Sequence, residues 1–372
     1  MTSSAPALPA VVDADADDLL LLTAALVAVP SPSHREEALA AAIEDRLRAR
    51  TPALTFDRVG ENVIVRTDLG RERRVVLAGH LDTVPPNGNE RPRLEGDVLH
   101  GLGSADMKGG LAVLLRLAEV LSADPDRAPH DVTLAFYECE EVADEHNGLR
   151  RLFEERADLL AGDFAILLEP TDGWVEAGCQ GTLHVRASFD GIRAHSARPW
   201  IGRNAIHEAA PALARVAAHE ADTVEVDGLS YRESLEVVSI EAGVARNVVP
   251  DTCSFVVNRR FAPAYTVDDA IEQMRTLLDD ADELEVLTAS PAAPPNLAHP
   301  LVAEFVDTLE LDVRPKLGWT DVARFASRGV PALNFGPGDP ELAHTAGELV
   351  TRESIERAYE VLARFVTGGA SP

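Results

Sequence analysis

Val75-Val-Leu-Ala-Gly-His-Leu-Asp82 is a short apolar run that ends in a histidine and an aspartate. An uninterrupted run of this length is typical of a strand buried on both faces of a parallel sheet. Two later runs have the same form: Val132–Tyr137 leads into Glu138-Cys139-Glu140-Glu141, and Phe164–Leu168 leads into Glu169-Pro170. These three segments predict a sheet whose strands end in polar side chains.

Helical patterns at 15–29, 35–50 and 108–122 alternate with these strands. Strand and helix alternation of this kind predicts an α/β fold, with a mostly parallel mixed sheet flanked by helices.

The pattern changes near Gly178 and becomes a compact α+β unit. Its strands are predicted at 182–189, 234–242 and 252–261, and its helices at 203–219 and 267–279. The proline-rich stretch Thr288–Asn296 follows and is predicted to be a stiff hinge. The first pattern then resumes, with predicted helices at 300–309, 320–327 and 352–367 and a strand at 330–335. We therefore expect a catalytic domain formed by residues 1–179 and 292–372, with residues 180–291 inserted into it.

The net charge of −28 limits the classes of partner. Nucleic acids and anionic membrane surfaces are disfavoured, because both attract basic proteins. The three cysteines, Cys139, Cys179 and Cys253, are few and widely spaced. They form neither a disulfide framework nor a thiolate zinc motif, and a reducing, cytoplasmic environment fits them best.

The N-terminal residues Met1–Leu20 contain no basic residue before a hydrophobic run, so we expect no secretory signal. The apolar stretch Leu19–Pro30 is about half the length of a membrane span and is predicted to be one face of a helix.

Histidines and carboxylates cluster at the predicted strand ends and turns. Ligands of parallel sheets bind beyond the carboxyl ends of the strands, so these side chains can converge on one cleft. The candidates are His80, Asp82, Asp106, Glu140, Glu141, Glu169 and His344.

This donor set suits zinc or a metal of similar preference. Asp82 lies two residues after His80 and can accept the second imidazole N–H, while a further aspartate can bridge two metals. Of the adjacent glutamates Glu140 and Glu141, one can bind metal and the other can move a proton. Each feature alone is common in proteins without a metal site, and the prediction depends on their combination. The turn Gly101-x-Gly103-x-x-Asp106 is not a nucleotide site, because Asp106 stands where a third glycine is required.

Five segments together resemble the dinuclear zinc family of aminoacylases, carboxypeptidase G2 and acetylornithine deacetylase. They are Gly79–Pro85, Gly103–Gly109, Cys139–Glu141, Leu168–Pro170 and Ala343–Glu348. The resemblance covers nearly the whole chain. It implies a zinc-exopeptidase-like catalytic domain with an inserted lid and dimerisation domain.

The resemblance also implies a role for each candidate in the catalytic domain. His80 and Glu169 would hold one Zn²⁺, Glu141 and His344 the other, and Asp106 would bridge them. Asp82 would orient His80, and Glu140 would act as general base and acid. Co²⁺ would be able to substitute for zinc.

In the inserted domain, the resemblance implies a homodimer in which His195 steadies the oxyanion in the neighbouring subunit's site. Asn247 and Arg260 would contact a substrate carboxylate, for which the guanidinium fork of arginine is suited. Thr320 would also contact the substrate.

The implied reaction is hydrolysis of an N-acyl amide of an amino acid. Lys316–Phe325 and Asn334–Pro340 resemble an actinobacterial branch of the family. That branch implies cleavage of N-succinyl-LL-2,6-diaminopimelate to succinate and LL-2,6-diaminopimelate, for lysine and peptidoglycan precursor synthesis. Gln180 departs from the pattern, because related enzymes carry an arginine there. Two other enzyme functions therefore remain as alternatives, an acetylornithine-type deacylase and a metallo-dipeptidase. Two functions without catalysis also remain, a binding protein and a structural dimer module.

Overall fold

The computed structural model describes residues 9–369, and the expectation for Met1–Leu20 falls partly outside this range. The chain divides into two compact units. The first comprises the residues up to Ala177, Asn296–Arg314 and the residues from Arg324 onward. The second comprises Gly178–Pro295 and Pro315–Ala323.

Residues 315–323 belong to the second unit, whereas the sequence-based boundaries place them in the catalytic domain. Hydrogen bonds explain the difference. The Gln180 backbone N–H donates to the Lys316 carbonyl at 3.2 Å, and Trp319 Nε1 donates to the Pro291 carbonyl at 3.1 Å. The segment is thereby tied to the second unit at two points.

An eight-stranded mixed sheet forms the centre of the first unit, in the order β1-β2-β6-β3-β7-β18-β8-β17. Its strands, in chain order, are β1 Thr55–Val59, β2 Asn62–Arg66, β3 Arg74–His80, β6 Asp131–Tyr137, β7 Phe164–Leu167, β8 Val175–Ala177, β17 Val313–Pro315 and β18 Ala332–Asn334. A smaller antiparallel sheet contains β4 Arg93–Glu95, β5 Val98–His100 and β19 Leu349–Thr351.

Parallel pairing in the larger sheet involves its four central strands, β6, β3, β7 and β18. The described pairs β1–β2, β2–β6 and β8–β18 are antiparallel. The expected α/β fold with a mixed sheet is confirmed, and β3, β6 and β7 are buried at every position except Arg74, which is half-buried. Such burial is characteristic of strands covered by helices on both faces.

The helices with residues in the first unit vary from five to fifteen residues in length. They are α1 Leu19–Val27, α2 Glu37–Arg50, α3 Gly109–Ala123, α4 Gly148–Glu155, α7 Pro300–Thr308, α8 Val322–Ala326 and α9 Arg352–Val366. The buried helix α3 packs against α1, α2, α9 and strand β3, and it is the core helix of this unit. Among the described residues, no helix has the length and apolar character needed to cross a membrane.

The second unit is built around the antiparallel sheet β13-β15-β9-β16. Its elements are β9 Gly181–Asp190, β10 Ala194–His195, α5 Ala205–Ala217, β11 Thr223–Val226, β12 Leu229–Arg232, β13 Ser234–Ala242, β14 Val248–Val249, β15 Thr252–Phe261, α6 Val267–Leu277 and β16 Glu283–Ser290. Buried residues alternate along β9 and β15, and α5 and α6 pack against the buried face. This period of two is expected for a sheet with one covered face.

Strand β16 corrects the predicted hinge at Thr288–Asn296. Thr288 and Ser290 are paired with His184 and Thr182 of β9, so the first third of the predicted hinge is part of the sheet.

Candidate metal centre

The candidate ligands follow strands that are neighbours in the first unit's sheet. His80 is the last residue of β3 and pairs with Tyr137 at the end of β6. Leu167 ends β7 and pairs with Asn334 at the end of β18. The four strands are parallel, so the segments that follow them leave from one edge of the sheet.

One cluster of possible metal ligands contains His80, Asp106 and Glu169. Each offers one ligand atom, and these atoms lie within 4.8 Å of one another. Nε2 of His80 lies 2.9 Å from Oδ1 of Asp106. His80 and Glu169 are buried, so this cluster lies at the inner side of the centre.

A second cluster contains Asp106, Glu141 and His344, again with ligand atoms within 4.8 Å. Nε2 of His344 lies 2.8 Å from Oε1 of Glu141 and 3.3 Å from Oδ2 of Asp106. The His344 side chain is 51% exposed, whereas that of His80 is 1% exposed. The second cluster is therefore the side of the centre that solvent reaches.

Asp106 belongs to both clusters and directs a different carboxylate oxygen to each histidine. It lies in the irregular turn Ser104–Lys108, where its own backbone angles are not helical, and its peptide bond to Met107 is cis. A carboxylate with one oxygen toward each cluster has the arrangement required of a ligand shared by two metals.

The carboxylates of the centre favour positive charge on its two histidines. Burial opposes a charge on His80, but hydrogen bonds to Asp106 and Asp82 outweigh it and raise the pKa of His80 well above its usual value. Hydrogen bonds to Asp106 and Glu141 raise the pKa of His344 to about 10. Burial also opposes ionisation of Asp106, yet its hydrogen bonds to the two histidines lower its pKa.

These shifts have one cause, which is the concentration of carboxylates around two imidazoles. Divalent cations would supply the missing positive charge and would take the nitrogen and oxygen donors that zinc prefers. The residues present therefore fit a pair of metal ions.

Asp82 faces both His80 and the segment that carries the two glutamates. The acceptor nearest to Nδ1 of His80 is the Asp82 backbone carbonyl at 3.0 Å, while the nearest carboxylate oxygen lies 3.6 Å away. The carboxylate instead accepts the backbone N–H of Glu140 at 2.9 Å and that of Glu141 at 3.0 Å. Asp82 therefore fixes the segment that carries both glutamates, and its carbonyl and carboxylate both face Nδ1 of His80. Its role in orienting His80 stays a prediction.

Glu140 belongs to a third cluster of possible metal ligands, with His80 and Glu141, and this cluster does not include Asp106. Its ligand atom lies within 4.8 Å of those of His80 and Glu141. The Asp82 contact holds its backbone while its side chain is only partly buried. This position next to the metal ligands is suitable for a group that moves a proton.

His195 and Asn247 are brought together in the second unit. His195 in β10 pairs with Val248 in β14, and the Ser196 N–H donates to the Asn247 carbonyl at 2.9 Å. His195 is exposed, and its Nδ1 accepts the Ala197 N–H at 3.0 Å. Nε2 takes no part in this contact.

Arg260 lies in β15, opposite Thr182 and Ser234 in the neighbouring strands. It lines a cavity of about 340 Å³ in the second unit, together with Gln180 and Arg232. Burial lowers the pKa of Arg260, so an anionic ligand would stabilise its charge. Thr320, in contrast, is buried in the same unit, and its carbonyl accepts the Ala323 N–H at 3.1 Å.

Three supporting residues were not predicted from the sequence. Ser33 Oγ donates to the Asp82 carboxylate at 2.8 Å, and Glu36 accepts the Cys139 N–H at 3.1 Å. Glu348 accepts three backbone N–H groups around Asp106. Glu348 could have been found, since it ends the motif Ala343–Glu348, but Ser33 and Glu36 precede the motifs and carry no comparable signal.

Comparison with known proteins gives a family match over most of the chain. The profile of peptidase family M20/M25/M40 matches residues 76–368, which include every candidate site residue named above.

Two relatives match along nearly their full lengths. A Corynebacterium glutamicum protein named succinyl-diaminopimelate desuccinylase is 44% identical over 356 residues, covering 94% of this chain and 96% of its own. A Mycobacterium tuberculosis H37Rv protein, provisionally given the same name, is 48% identical over 352 residues, covering 94% and 98%.

Solved structures share the fold at low sequence identity. One is a Bacillus subtilis protein described as a dinuclear metal-binding peptidase of the M20 family. It is 16% identical, has a TM-score of 0.72, and covers 95% of this chain and 97% of its own.

Proposed function

Because the chain belongs to peptidase family M20/M25/M40 and is a metal-dependent hydrolase of an amide bond, we propose that it converts N-succinyl-LL-2,6-diaminopimelate to succinate and LL-2,6-diaminopimelate. The observation that carries the proposal is the double cluster around Asp106, with Glu140 beside it. The two relatives named for this reaction support the choice of substrate.

The metals of the centre are inferred to be two zinc ions, with cobalt as a substitute. His80 and Glu169 would hold one ion, Glu141 and His344 the other, and Asp106 both. When bound, such a pair polarises an amide carbonyl and makes water acidic enough to supply the nucleophile near neutral pH.

Glu140 moves the proton in this reaction. Its carboxylate accepts a proton from the attacking water and donates it to the nitrogen of the leaving amine, as the C–N bond breaks. Asp82 holds Glu140 and Glu141 through adjacent backbone N–H groups, so the proton carrier and one metal ligand are placed by a single carboxylate.

The substrate assignment predicts discrimination between acyl groups. The succinyl group ends in a carboxylate that Arg260 can pair with, and an acetyl group leaves that arginine without its partner. We expect kcat/KM for N-succinyl-diaminopimelate to exceed that for N-acetylornithine by about 10⁴–10⁵-fold, the range for a site built to pair a polar group that the competitor lacks. The measurement is a panel of succinylated and acetylated amino acids. Faster cleavage of N-acetylornithine would contradict the substrate assignment and leave the metal chemistry intact.

One observation favours an acetylornithine-type deacylase or a dipeptidase as the second candidate. Gln180 stands where the family resemblance implies an arginine, and its Nε2 donates to the Arg232 carbonyl at 2.8 Å. This buried amide supplies no positive charge for a substrate carboxylate.

We also propose that the second unit forms a homodimer. Strand β13 is at one edge of the unit's sheet, where it pairs with β15. Val238 and Ile240 on this strand are 55% and 53% exposed. An exposed apolar edge strand is a template for pairing with another chain, and a second copy related by two-fold symmetry presents the same edge.

In such a dimer the exposed His195 would act in the partner's site. We expect His195→Ala to lower kcat by about 10²–10³-fold, as removal of one oxyanion donor does elsewhere. Mixing it with Glu140→Gln should restore activity, because a mixed dimer contains one site with both side chains. Random exchange of subunits would restore about a quarter of the wild-type rate.

His207→Ala is the matched control, since His207 is an exposed histidine of the same unit. It should retain full activity. A mixture of the His195 and Glu140 variants that shows no more activity than its components, after demonstrated subunit exchange, would contradict action in trans.

A further inference from the structure

Glu348 is a buried carboxylate beneath the turn that carries Asp106. It is 2% exposed and lies four residues after His344, immediately before β19. Its Oε2 accepts the Gly103 N–H at 3.0 Å, and its Oε1 accepts those of Ala105 at 3.0 Å and Asp106 at 3.1 Å. Its own carbonyl accepts the Gly101 N–H at 3.2 Å.

The turn needs these acceptors because it is not a regular helix. Gly103 has a φ of 77°, and Asp106 has a φ of −118° with a ψ of 91°. Backbone N–H groups in such a turn have no helical carbonyl four residues earlier, and a buried N–H without an acceptor is costly. Glu348 supplies acceptors to three of them, so the conformation of the turn depends on this one side chain.

The same segment therefore serves both halves of the metal centre. His344 is a candidate ligand of the solvent-facing cluster. Glu348, four residues later, accepts the backbone N–H of the shared ligand Asp106. Asp106 lies 2.9 Å from one histidine nitrogen and 3.3 Å from the other, so a displacement of its backbone would lengthen at least one contact.

We propose that Glu348 is a positioning residue for the metal pair, which couples the loop of His344 to the turn of Asp106 and thereby sets the affinity for the second metal ion. The inference deepens the proposed function and depends on its two-metal centre, but it does not depend on the choice of acyl substrate.

Glutamine in place of Glu348 is the sharpest variant because it keeps the volume and removes one acceptor. A carboxylate accepts through both oxygens, whereas an amide has one accepting oxygen and an NH₂ group that would face a backbone donor. The matched control is Glu341→Gln, a change of the same type at an exposed position three residues before His344.

The experiment measures binding of Co²⁺ alone to the metal-free full chain, by calorimetry and by the magnetic coupling between bound ions. For Glu348→Gln we expect one of the two binding events to weaken by about 10–100-fold, the usual effect of losing a partner behind a ligand, together with loss of the coupling. The control should match wild type in both. Two events of wild-type affinity with coupling retained in Glu348→Gln would overturn the proposal.

Thermal unfolding separates positioning from general support of the fold. A bound metal stabilises the native state by an amount that grows with the logarithm of its affinity, and the unfolding temperature rises accordingly. Positioning predicts that the increment gained on adding Co²⁺ shrinks in Glu348→Gln, and in Glu348→Asp if the first variant does not fold. If the metal-free protein unfolds at a lower temperature but the increment gained on adding Co²⁺ is unchanged, Glu348 supports the fold alone.

Wild-type protein that binds a single Co²⁺ would overturn the metal pair and this proposal with it. Failure of the substrate assignment alone would appear only in the panel of succinylated and acetylated amino acids.

Discussion

Replacement of Glu140 by glutamine is expected to lower kcat by about 10²–10⁴-fold, the contribution of a general acid–base group, while both metals stay bound. The reason is the separation of tasks between adjacent glutamates. Glu141 belongs to the cluster around Asp106 and His344, whereas Glu140 is outside both clusters that share Asp106. Glutamine keeps the shape of the side chain but cannot accept a proton from water. The measurements are the steady-state rate and the metal content of the same preparation.

The matched control is Glu145→Gln, because Glu145 follows the same strand and its side chain is 73% exposed. It should retain both activity and metal. Loss of metal in Glu140→Gln would contradict the assignment of Glu140 as the proton carrier, and so would turnover within a factor of ten of wild type.

Replacement of Asp106 by alanine should have the second large effect. Asp106 is the one ligand that the two clusters have in common, so its loss removes a donor from both ions. We expect the bound metal to fall from two ions per chain to one or none. Since one metal contributes several kcal/mol to the transition state, the rate should fall by at least about 10²–10⁴-fold.

Elemental analysis and the rate constant measure these two effects. The exposed Asp126 provides a control, because Asp126→Asn removes a carboxylate far along the chain from any candidate ligand. Two tightly bound ions per chain in Asp106→Ala would contradict the role of Asp106 as a shared ligand.

The central strands of the fold were predictable because their amino-acid composition is typical of buried strands. The runs at Val75, Val132 and Phe164 are apolar along their length, and they became the buried central strands β3, β6 and β7. Strands at or next to the edges of the sheet are harder to predict, because β1 and β8 are short and carry charged residues within them. Strand β16 was missed for a different reason, since none of its residues is buried and its half-buried positions do not recur with a period of two.

Part of the candidate centre was also predictable. Ligands such as His80, Glu141 and Glu169 could be named because parallel strands end at one edge, and side chains at strand ends converge there. The hydrogen-bond partners of Asp82 and Glu348 could not be predicted, since both carboxylates accept backbone N–H groups. Every residue except proline has such a group, so which N–H reaches which carboxylate depends on the three-dimensional path of the turns and leaves no mark in the sequence.

The most direct test of the two-metal centre is anomalous diffraction above and below the zinc edge, from crystals of the zinc-loaded protein. The account predicts two anomalous peaks per chain about 3.5–4 Å apart, as in other two-metal sites. One peak should contact His80 and Glu169, the other Glu141 and His344, with Asp106 between them. A single peak, or two peaks that do not share Asp106, would contradict the account.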